Sequence, residues 1–175
     1  MMFLKKISLF IAFFLGTFAI YPQITDPLIK DAKVNFEFTS KKVKGTISDV
    51  RGIVYIDKKN ISNSKISGSA AVNTLKTGNF IRNSHLMSKK YFYNKMYPRI
   101  SFESDEVIKT DLTYRVKGKL TLKGKTKEVF IEFRENNNML KGELNLNTKD
   151  FDISVYKERK RNEVVVSFEF PLNAS

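Results

Sequence analysis

Apolar and polar residues alternate with a period of two along most of this chain. The clearest examples are Tyr114–Leu122, where every second residue is apolar or glycine, and Val164–Phe170, where valines and phenylalanines recur in the same way. Successive side chains of a strand point to opposite faces, so this alternation predicts strands that bury one face. Eight or nine such segments follow one another, about ten to fifteen residues apart.

Polar stretches between these segments have the composition of turns, for example Asp49–Gly52 and Asn136–Asn138. Each strand segment has one polar face, which argues against a parallel sheet covered on both faces. The sequence contains no internal repeat, no low-complexity segment and no linker that would divide it. The pattern therefore predicts a single all-β domain, either a barrel or a sandwich.

One stretch in the middle of the chain interrupts the alternation. Between residues 84 and 97 the apolar side chains, among them Leu86 and Met96, recur at helical rather than strand spacing. Ser88 is a candidate N-cap, because its hydroxyl can accept a hydrogen bond from a free backbone N–H group. Pro98 disfavours the α conformation of the residue before it and would end the helix. The sequence thus predicts a short helical insert that lies over one end of the strands.

The apolar positions of the strands predict what the interior contains. The side chains expected to point inward are Val34, Phe36, Phe38, Ile47, Val54, Phe102, Leu120, Leu122, Ile131, Phe133, Leu144, Phe168 and Phe170. An eight-stranded barrel is just wide enough to be filled by its own side chains or to hold one small ligand. Glycines at expected inward positions (Gly45, Gly68, Gly118 and Gly142) favour a cavity, but periodicity alone leaves both interiors open.

The N-terminal segment has the pattern of a secretory signal peptide, predicted at residues 1–19. Two lysines precede an apolar core at Ile7–Phe14, and small residues near Ala19 provide a cleavage site. A retained membrane anchor is the alternative, but the apolar run of about 14 residues is shorter than the roughly 20 that a spanning helix needs. The mature protein is therefore expected in the periplasm or outside the cell, with a leader segment at 20–32 and the β-domain at 33–175.

Composition adds two constraints. The chain has no cysteine, so it can form no disulfide and carry no lipid on a thioether, and core packing alone must stabilise an exported fold. The formal net charge is +13, or +11 without the two lysines of the signal peptide. This balance favours anionic surroundings such as phospholipid head groups, whereas nucleic acid is not an expected partner after export.

Two blocks of sequence resemble the YceI-like family. The first consists of an Arg-Asn-Ser-His-Leu run at Arg82–Leu86, the aromatic pair Tyr91–Phe92 and the strand entry Tyr-Pro-Arg-Ile-Ser-Phe at Tyr97–Phe102. The second is the Gly-Lys-Leu-Thr-Leu-Lys-Gly-Lys-Thr-Lys hairpin at Gly118–Lys127. The resemblance extends over about residues 33–155, and two blocks at this separation make it specific.

The resemblance implies an extended, eight-stranded antiparallel β-barrel of the lipocalin-like kind that holds a long isoprenoid lipid of the quinone or prenol type. Such a protein would carry or sequester this lipid, with no other cofactor. The helical insert would cap one end of the barrel. Its side chains expected to contact the ligand are Phe80, His85, Leu86 and Phe92, with Tyr91 and Tyr97 as further polar contacts.

The resemblance also implies that Arg82 and His85 attach the insert to the barrel by hydrogen bonds. The family often has Asp after the arginine, whereas this chain has Asn83, which removes a carboxylate partner for Arg82.

Catalytic and metal chemistry find little support in the residues. His85 is the only histidine and there is no cysteine, so a metal site would need scattered carboxylates. Gly124-Lys125-Thr126 is similar to the end of a phosphate-binding loop, but a strand pattern follows it instead of a helix, which indicates a hairpin turn. We therefore expect a binding protein and not an enzyme, with a lipid-modifying enzyme as the less favoured alternative.

Basic residues concentrate in the hairpin that carries Lys117, Lys119, Lys123, Lys125 and Lys127, and in the loop 157–162. A solvated face is one interpretation of these lysines, and transient contact with an anionic membrane surface is the other. A basic interaction or adhesion module with a solid core is the rival function for the whole protein. Association of two barrels into a homodimer stays open.

Overall fold

A computed structural model describes residues 26–172 of the chain, so the predicted signal peptide and residues 20–25 of the predicted leader lie outside the described residues. The described part contains nine β-strands and one α-helix. The elements are β1 (Lys33–Phe38), β2 (Val43–Ile47), β3 (Arg51–Tyr55), β4 (Lys65–Ala71), α1 (Phe80–Met87), β5 (Arg99–Lys109), β6 (Tyr114–Leu122), β7 (Lys125–Asn136), β8 (Met139–Asn147) and β9 (Glu163–Pro171). Single 3₁₀ turns lie at Ile61–Asn63, Val72–Thr74, Thr148–Phe151 and Arg159–Asn162.

The strands form one curled antiparallel sheet in the order β2-β1-β9-β8-β7-β6-β5-β4-β3. Because every neighbouring pair is antiparallel, the edge strands β2 and β3 run in the same direction, and only residues 48–50 separate them along the chain. They therefore act as a single bent strand that pairs first with β1 and then with β4. Counted in this way the barrel has eight strands, which confirms the predicted all-β, lipocalin-like architecture.

Backbone hydrogen bonds close the sheet near this bend. The Thr46 and Lys76 backbones exchange two hydrogen bonds of 2.9 Å, and the Ala71 N–H group donates to the Ser48 carbonyl at 3.2 Å. These bonds connect β2 to the end of β4 and the segment after it, so the polar backbone groups along the seam have partners.

Two of the hairpins have tight two-residue turns. Lys123 and Gly124 between β6 and β7 have φ values of 51° and 73°, and Asn137 and Asn138 between β7 and β8 have values of 49° and 60°. Two consecutive positive φ angles are typical of the type I′ turn, whose twist matches that of the flanking strands. The Gly124-Lys125-Thr126 sequence is therefore part of a hairpin, as predicted.

The helix begins earlier than the sequence pattern predicted. Asn79 is its N-cap, because the Asn79 side chain accepts a hydrogen bond of 2.9 Å from the Arg82 N–H group. Ser88 is the C-cap instead of the predicted N-cap, with its N–H group bonded to the His85 carbonyl at 3.0 Å. The rest of the insert, up to Pro98, consists of consecutive turns.

Residues 26–32 are part of the barrel and do not merely precede it. The Ile29 side chain is buried, and its N–H group donates to the Val50 carbonyl at 2.9 Å. The Gly52 N–H group likewise donates to the Pro27 carbonyl at 2.9 Å. This part of the predicted leader therefore packs on the bend between β2 and β3.

Connections alternate between the two ends of the barrel. The insert and the turns that follow β1, β6 and β8 lie at one end, which we call the mouth end, and the others lie at the far end. At the far end the buried Tyr114 hydroxyl donates to Glu135 at 3.1 Å, and the Lys58 ammonium pairs with Glu135 at 2.7 Å. Burial raises the pKa of Tyr114, and the Lys58 ammonium holds the pKa of Glu135 below its usual value. This group of side chains helps to close the far end.

A candidate ligand-binding cavity and its mouth

The barrel encloses an apolar cavity of about 160 Å³. Side chains from all nine strands and from α1 line it, because the strands turn their alternate apolar residues inward. Of the predicted ligand contacts, those on the cavity wall are Val34, Phe36, Phe38, Val54, Leu86, Phe92, Phe102, Leu120, Leu122, Ile131, Phe133, Leu144, Phe168 and Phe170. The sequence periodicity therefore located most of the wall.

Other residues on the wall were not predicted. Ile29 and Val50 come from segments that the sequence pattern assigned to the leader and to a turn, and Ile66 and Ala70 come from β4. The alternation Ile66, Gly68, Ala70 was a usable signal for β4, because these residues share one face of a strand. Nothing local to Ile29 or Val50 indicated that they would meet in the interior.

The size of this cavity matters for function. An engineered void of about 150 Å³ binds benzene, whereas pockets for larger ligands measure about 300–1,000 Å³. The interior is therefore not solid, but the empty space at 160 Å³ holds only a fragment of a long lipid tail. A longer tail has to displace some of the side chains on the wall.

Gly68 lies on the cavity wall, but the other three inward glycines do not open the cavity in the way that the sequence predicted. Neighbouring phenylalanine rings lie directly over them: a Cβ atom at Gly142 would come within 2.5 Å of Phe133 Cδ1, and one at Gly118 within 2.5 Å of Phe102 Cζ. The glycines thus let these rings lie close to the backbone of the sheet. This arrangement keeps aromatic bulk near the wall and away from the barrel axis.

A second, larger space of about 570 Å³ lies at the mouth end and shares part of its lining with the cavity. We call it the mouth chamber; it is lined by Phe36, Phe38, Lys41, Val43, Thr77, Asn79, Ile81, Arg82, His85, Leu86, Tyr91, Val155 and Tyr156. Phe36, Phe38 and Leu86 line both spaces, and we call this shared boundary the neck. A ligand that enters the cavity through the mouth has to pass this neck.

The chamber differs from the cavity in its polar groups. The Arg82 guanidinium donates from Nε to the Thr77 hydroxyl at 2.8 Å and from Nη2 to the Thr77 carbonyl at 3.0 Å. The Asn83 side-chain oxygen accepts from both the Thr77 N–H group at 2.9 Å and the Thr77 hydroxyl at 2.7 Å. Arg82 therefore attaches the helix to the segment that closes the barrel, as the resemblance implied, and Asn83 acts through Thr77 instead of pairing with Arg82.

His85 fulfils only one of the two expectations, because it lines the chamber but does not attach the insert. Its ring lines the chamber, and within residues 26–172 its side chain makes no hydrogen bond. It therefore does not attach the insert to the barrel. The chamber is also lined by Tyr91, which was predicted, and by Tyr156 and Lys41, which were not. Together with His85, these residues carry polar groups that can contact a ligand. Tyr156 was visible in the sequence as an aromatic residue within a charged loop.

Two further predicted contacts lie outside both spaces. Phe80, on the first turn of α1, is 80% exposed and points away from the interior. The Tyr97 ring packs beside Gly124 in the turn between β6 and β7 and meets the Tyr93 ring edge-on at 5.9 Å.

The loop that carries Tyr156 depends on one buried amide. Asn162 is fully buried, and its oxygen accepts from the Val155 and Tyr156 N–H groups at 2.8 and 3.0 Å. Its nitrogen donates to the Tyr156 and Glu158 carbonyls at 2.9 and 2.6 Å. All four hydrogen bonds fix the loop at the chamber wall.

Ion pairs neutralise much of the lysine hairpin. Lys117 pairs with Glu128 at 3.1 Å, Lys119 with Asp105 at 3.2 Å and Lys125 with Asp152 at 3.1 Å. These pairs favour the interpretation of this face as a solvated surface.

Within residues 26–172, no group of three or more His, Cys, Asp or Glu side chains could hold a metal ion. The same part of the chain has no helix that is both long and apolar enough to cross a bilayer.

Relatives of this chain support its classification. A UPF0312 protein of Photorhabdus laumondii is 38% identical over 87 residues, which are 50% of this chain and 45% of that protein. A UPF0312 protein of Yersinia enterocolitica is 35% identical over 88 residues, which are 50% of this chain and 46% of that protein. The matched part thus spans about half the length of these curated relatives.

Solved structures share the fold. The crystal structure of Burkholderia cenocepacia BcnA has a TM-score of 0.74 at 22% identity, covering 82% of this chain and 98% of that one. A polyisoprenoid binding domain from Saccharophagus degradans has a TM-score of 0.56 at 14% identity, covering 83% and 94%. The model of the YceI-like domain matches residues 26–175, and the chain therefore belongs to the YceI-like family.

Proposed function

We propose that this protein binds a long isoprenoid lipid of the quinone or prenol type and carries or sequesters it. The observation that supports this most is an apolar cavity beside a chamber that carries polar side chains, with a neck of three apolar residues that line both. An amphipathic molecule with an apolar tail and a small polar head matches these two neighbouring environments. A solved relative of the fold is described as a polyisoprenoid binding domain.

The apolar tail would supply most of the affinity. Each buried methylene-sized group contributes about 0.8 kcal/mol of transfer free energy, so several isoprene units outweigh the cost of ordering the ligand. Because the lipid-free cavity measures only about 160 Å³, the tail has to shift side chains of the wall as it enters. Phe36, Phe102 and Phe133 are suited to this, since their rings lie against glycines and also line the cavity.

The head group would remain in the mouth chamber. His85, Tyr91, Tyr156 and Arg82 line it and offer hydrogen-bond donors to a quinone carbonyl or a prenol hydroxyl. Because the tail would supply most of the affinity, selectivity among head groups is expected to be weak.

Two rival functions give different results in the same experiments. A basic interaction module with a solid core would bind no lipid, and the cavity argues against it. A lipid-modifying enzyme would use His85, the only histidine in the chain, as its acid or base. Replacing His85 with Ala would abolish turnover by an enzyme, whereas a carrier keeps most of its affinity because the tail provides it.

Native mass spectrometry of protein purified without detergent tests the proposal. We expect an apolar small molecule to be retained, and extraction should identify an isoprenoid tail. A delipidated sample is then loaded with a polyprenol or with a linear fatty alcohol of equal carbon number. Failure of both lipids to bind, with the protein still folded, would exclude the carrier function.

We also propose that the protein is exported after cleavage of residues 1–19, on the strength of the signal-peptide pattern. N-terminal sequencing of the mature protein from fractionated cells tests this. An intact N-terminus on protein in the cytoplasmic fraction would contradict it.

A further inference from the structure

Charge is distributed very unevenly between the two ends of the barrel. The segments at the mouth end are 39–42, 72–98, 123–124 and 148–162, and they contain thirteen lysines and arginines but three carboxylates. The far-end segments are 26–32, 56–64, 110–113 and 137–138, and they contain three basic and four acidic residues. The mouth end therefore carries most of the net positive charge of the described residues.

Few of these mouth-end cations are paired with a carboxylate. Among the described residues, Arg159 is the only one of the thirteen in an ion pair, with Asp150 at 2.8 Å. The segment 72–98, which contains the insert, carries five basic residues and no carboxylate at all. The positive potential at this end is thus left for an external anion to neutralise.

Two large apolar side chains are exposed within this basic surface. Phe80 is 80% exposed and Ile81 is 53% exposed, and they are adjacent on the first turn of α1. Ile81 also lines the mouth chamber, so this pair lies at the entrance to the candidate lipid site. Exposed aromatic and aliphatic residues surrounded by lysine are the usual composition of surfaces that lie in a membrane interface.

We propose that the mouth end docks on an anionic lipid bilayer, with Phe80 and Ile81 inserted below the head groups and the basic segments held against them. This inference rests on the proposed function, because a lipid of the quinone or prenol type resides in a bilayer and must enter through the mouth. An acidic protein would match the charge equally well. It would not account for a largely exposed phenylalanine beside the entrance to an apolar cavity.

The first experiment uses a feature of the composition. Since the chain has no tryptophan, Phe80→Trp introduces a single fluorophore at the proposed contact, and Leu112→Trp introduces one at the far end. Leu112 is 84% exposed, so the two sites are equally accessible in solution. With vesicles of phosphatidylglycerol and phosphatidylcholine, the Phe80→Trp emission should shift to the blue and be quenched by lipids brominated in the acyl chain. The Leu112→Trp emission should not change.

The second experiment uses vesicle sedimentation to measure how much the exposed apolar pair and the basic residues each contribute to membrane binding. Phe80→Ser should weaken binding by about tenfold or more, because a phenylalanine no longer enters the apolar layer. Lys76→Glu with Lys95→Glu should also weaken it by about tenfold or more, since each basic residue near an anionic surface contributes to binding. Neither lysine side chain has an ion pair within residues 26–172. The control, Lys30→Glu with Lys59→Glu at the far end, should have much less effect.

The outcomes separate this inference from the proposed function. Equal binding to vesicles of pure phosphatidylcholine, or equal quenching at both tryptophan sites, would overturn the docking proposal while lipid loading in solution could still succeed. Vesicle binding without any retained lipid would instead overturn the carrier function. If Phe80→Ser changes the oligomeric state of the protein in solution without vesicles, Phe80 and Ile81 form a contact between two copies of the chain and the docking proposal is wrong.

Discussion

At the scale of single residues, the pairing of Phe133 with Gly142 determines how much of the interior is empty. The two residues are opposite each other on β7 and β8, and the ring covers the glycine. Phe133 is 1% exposed and also packs against Phe168 and Phe170, with ring centroids 6.1 and 6.2 Å away. A ring fixed in this way lies along the wall and leaves the axis of the barrel clear.

We expect Gly142→Ala to push the Phe133 ring into the cavity, because the new Cβ would lie 2.5 Å from Cδ1. The free energy of unfolding should fall by about 1–3 kcal/mol, which is typical of overpacking, and lipid affinity should fall as well. Urea unfolding and lipid titration measure the two effects. Adding Phe133→Leu should restore part of the affinity by removing the displaced ring. An unchanged affinity in Gly142→Ala would show that this ring does not limit the space.

At the scale of elements, α1 controls the neck between cavity and chamber. Leu86 is the buried residue of this helix, and it lines both spaces. The helix is held by its N-cap Asn79 and by the Arg82–Thr77 contact, and not by a broad packed face. Leu86 is therefore the main apolar contact between this helix and the barrel.

Leu86→Ala should widen the neck and speed the exchange of bound lipid, measured by transfer of a fluorescent polyprenol analogue between protein and vesicles. The free energy of unfolding should fall by about 2–5 kcal/mol, as for other buried leucines. Leu140→Ala is the matched control, because Leu140 is also a buried leucine but does not line the cavity. If both variants exchange lipid at the same rate, the effect reflects lost stability and not the neck.

The bend between β2 and β3 is a second element with a measurable property. Asp49 has a φ of 49° there and accepts hydrogen bonds from Arg99 at 2.9 Å and from Arg51 at 2.8 Å. The Arg99 guanidinium, assisted by Arg51, holds the pKa of Asp49 below its usual value. Arg99 also donates to Ser69 at 2.7 Å, so the charge of Asp49 connects the bend to β4.

A depressed carboxyl pKa stabilises the fold at pH values above the unfolded pKa, and this contribution is lost as the pH falls through the folded pKa. Asp49→Asn keeps a side chain that tolerates positive φ but removes the charge. We therefore expect the wild type to be more stable than Asp49→Asn at neutral pH, with the difference starting to shrink below about pH 4 and vanishing only below the depressed folded pKa of Asp49. Urea unfolding at a series of pH values measures this, with Asp111→Asn as the exposed control. A difference that persists at low pH would contradict it.

At the scale of the whole molecule, the barrel combines an incompletely filled interior with one polar, positively charged end. A cavity of about 160 Å³ costs stability, because its lining atoms lack partners. Such a cost is expected where function requires the space. The same feature makes the lipid-free protein responsive to anything that fills the cavity.

A graded series at Ala70 tests this property. Ala70 lines the cavity from β4, so Ala70→Val and Ala70→Leu place additional carbon atoms in empty space. Their cost should be smaller than the about 1–3 kcal/mol of overpacking a filled core. The rise in melting temperature produced by bound polyprenol, which reports binding to the native state, should shrink with the size of the side chain. Thermal unfolding with and without the lipid measures it, and an equal rise in all three proteins would show that the tail lies elsewhere.

Local pattern was sufficient for the strands and for most of the wall. The alternation in Tyr114–Leu122 identified β6, and its inward residues line the cavity, because a period of two assigns faces without reference to other elements. The turns at Gly124 and Asn137 were equally predictable from residues that accept positive φ. The predicted helix started too late in the chain. Asn79, the actual N-cap, and Ser88 are both suitable capping residues, and no helical periodicity before Phe80 favoured the earlier one.

By itself, the sequence determined the all-β class, the inward apolar residues and the family, because these depend on short-range periodicity and on contiguous motifs. Only the tertiary structure decided how much space remains inside, since that depends on which rings cover which glycines on neighbouring strands. It alone also brought Lys41, His85 and Tyr156 to one chamber and gathered the basic segments at one end. These groups are brought together because the connections between strands alternate between the two barrel ends. Residues distant in the chain meet only when the sheet curls and closes.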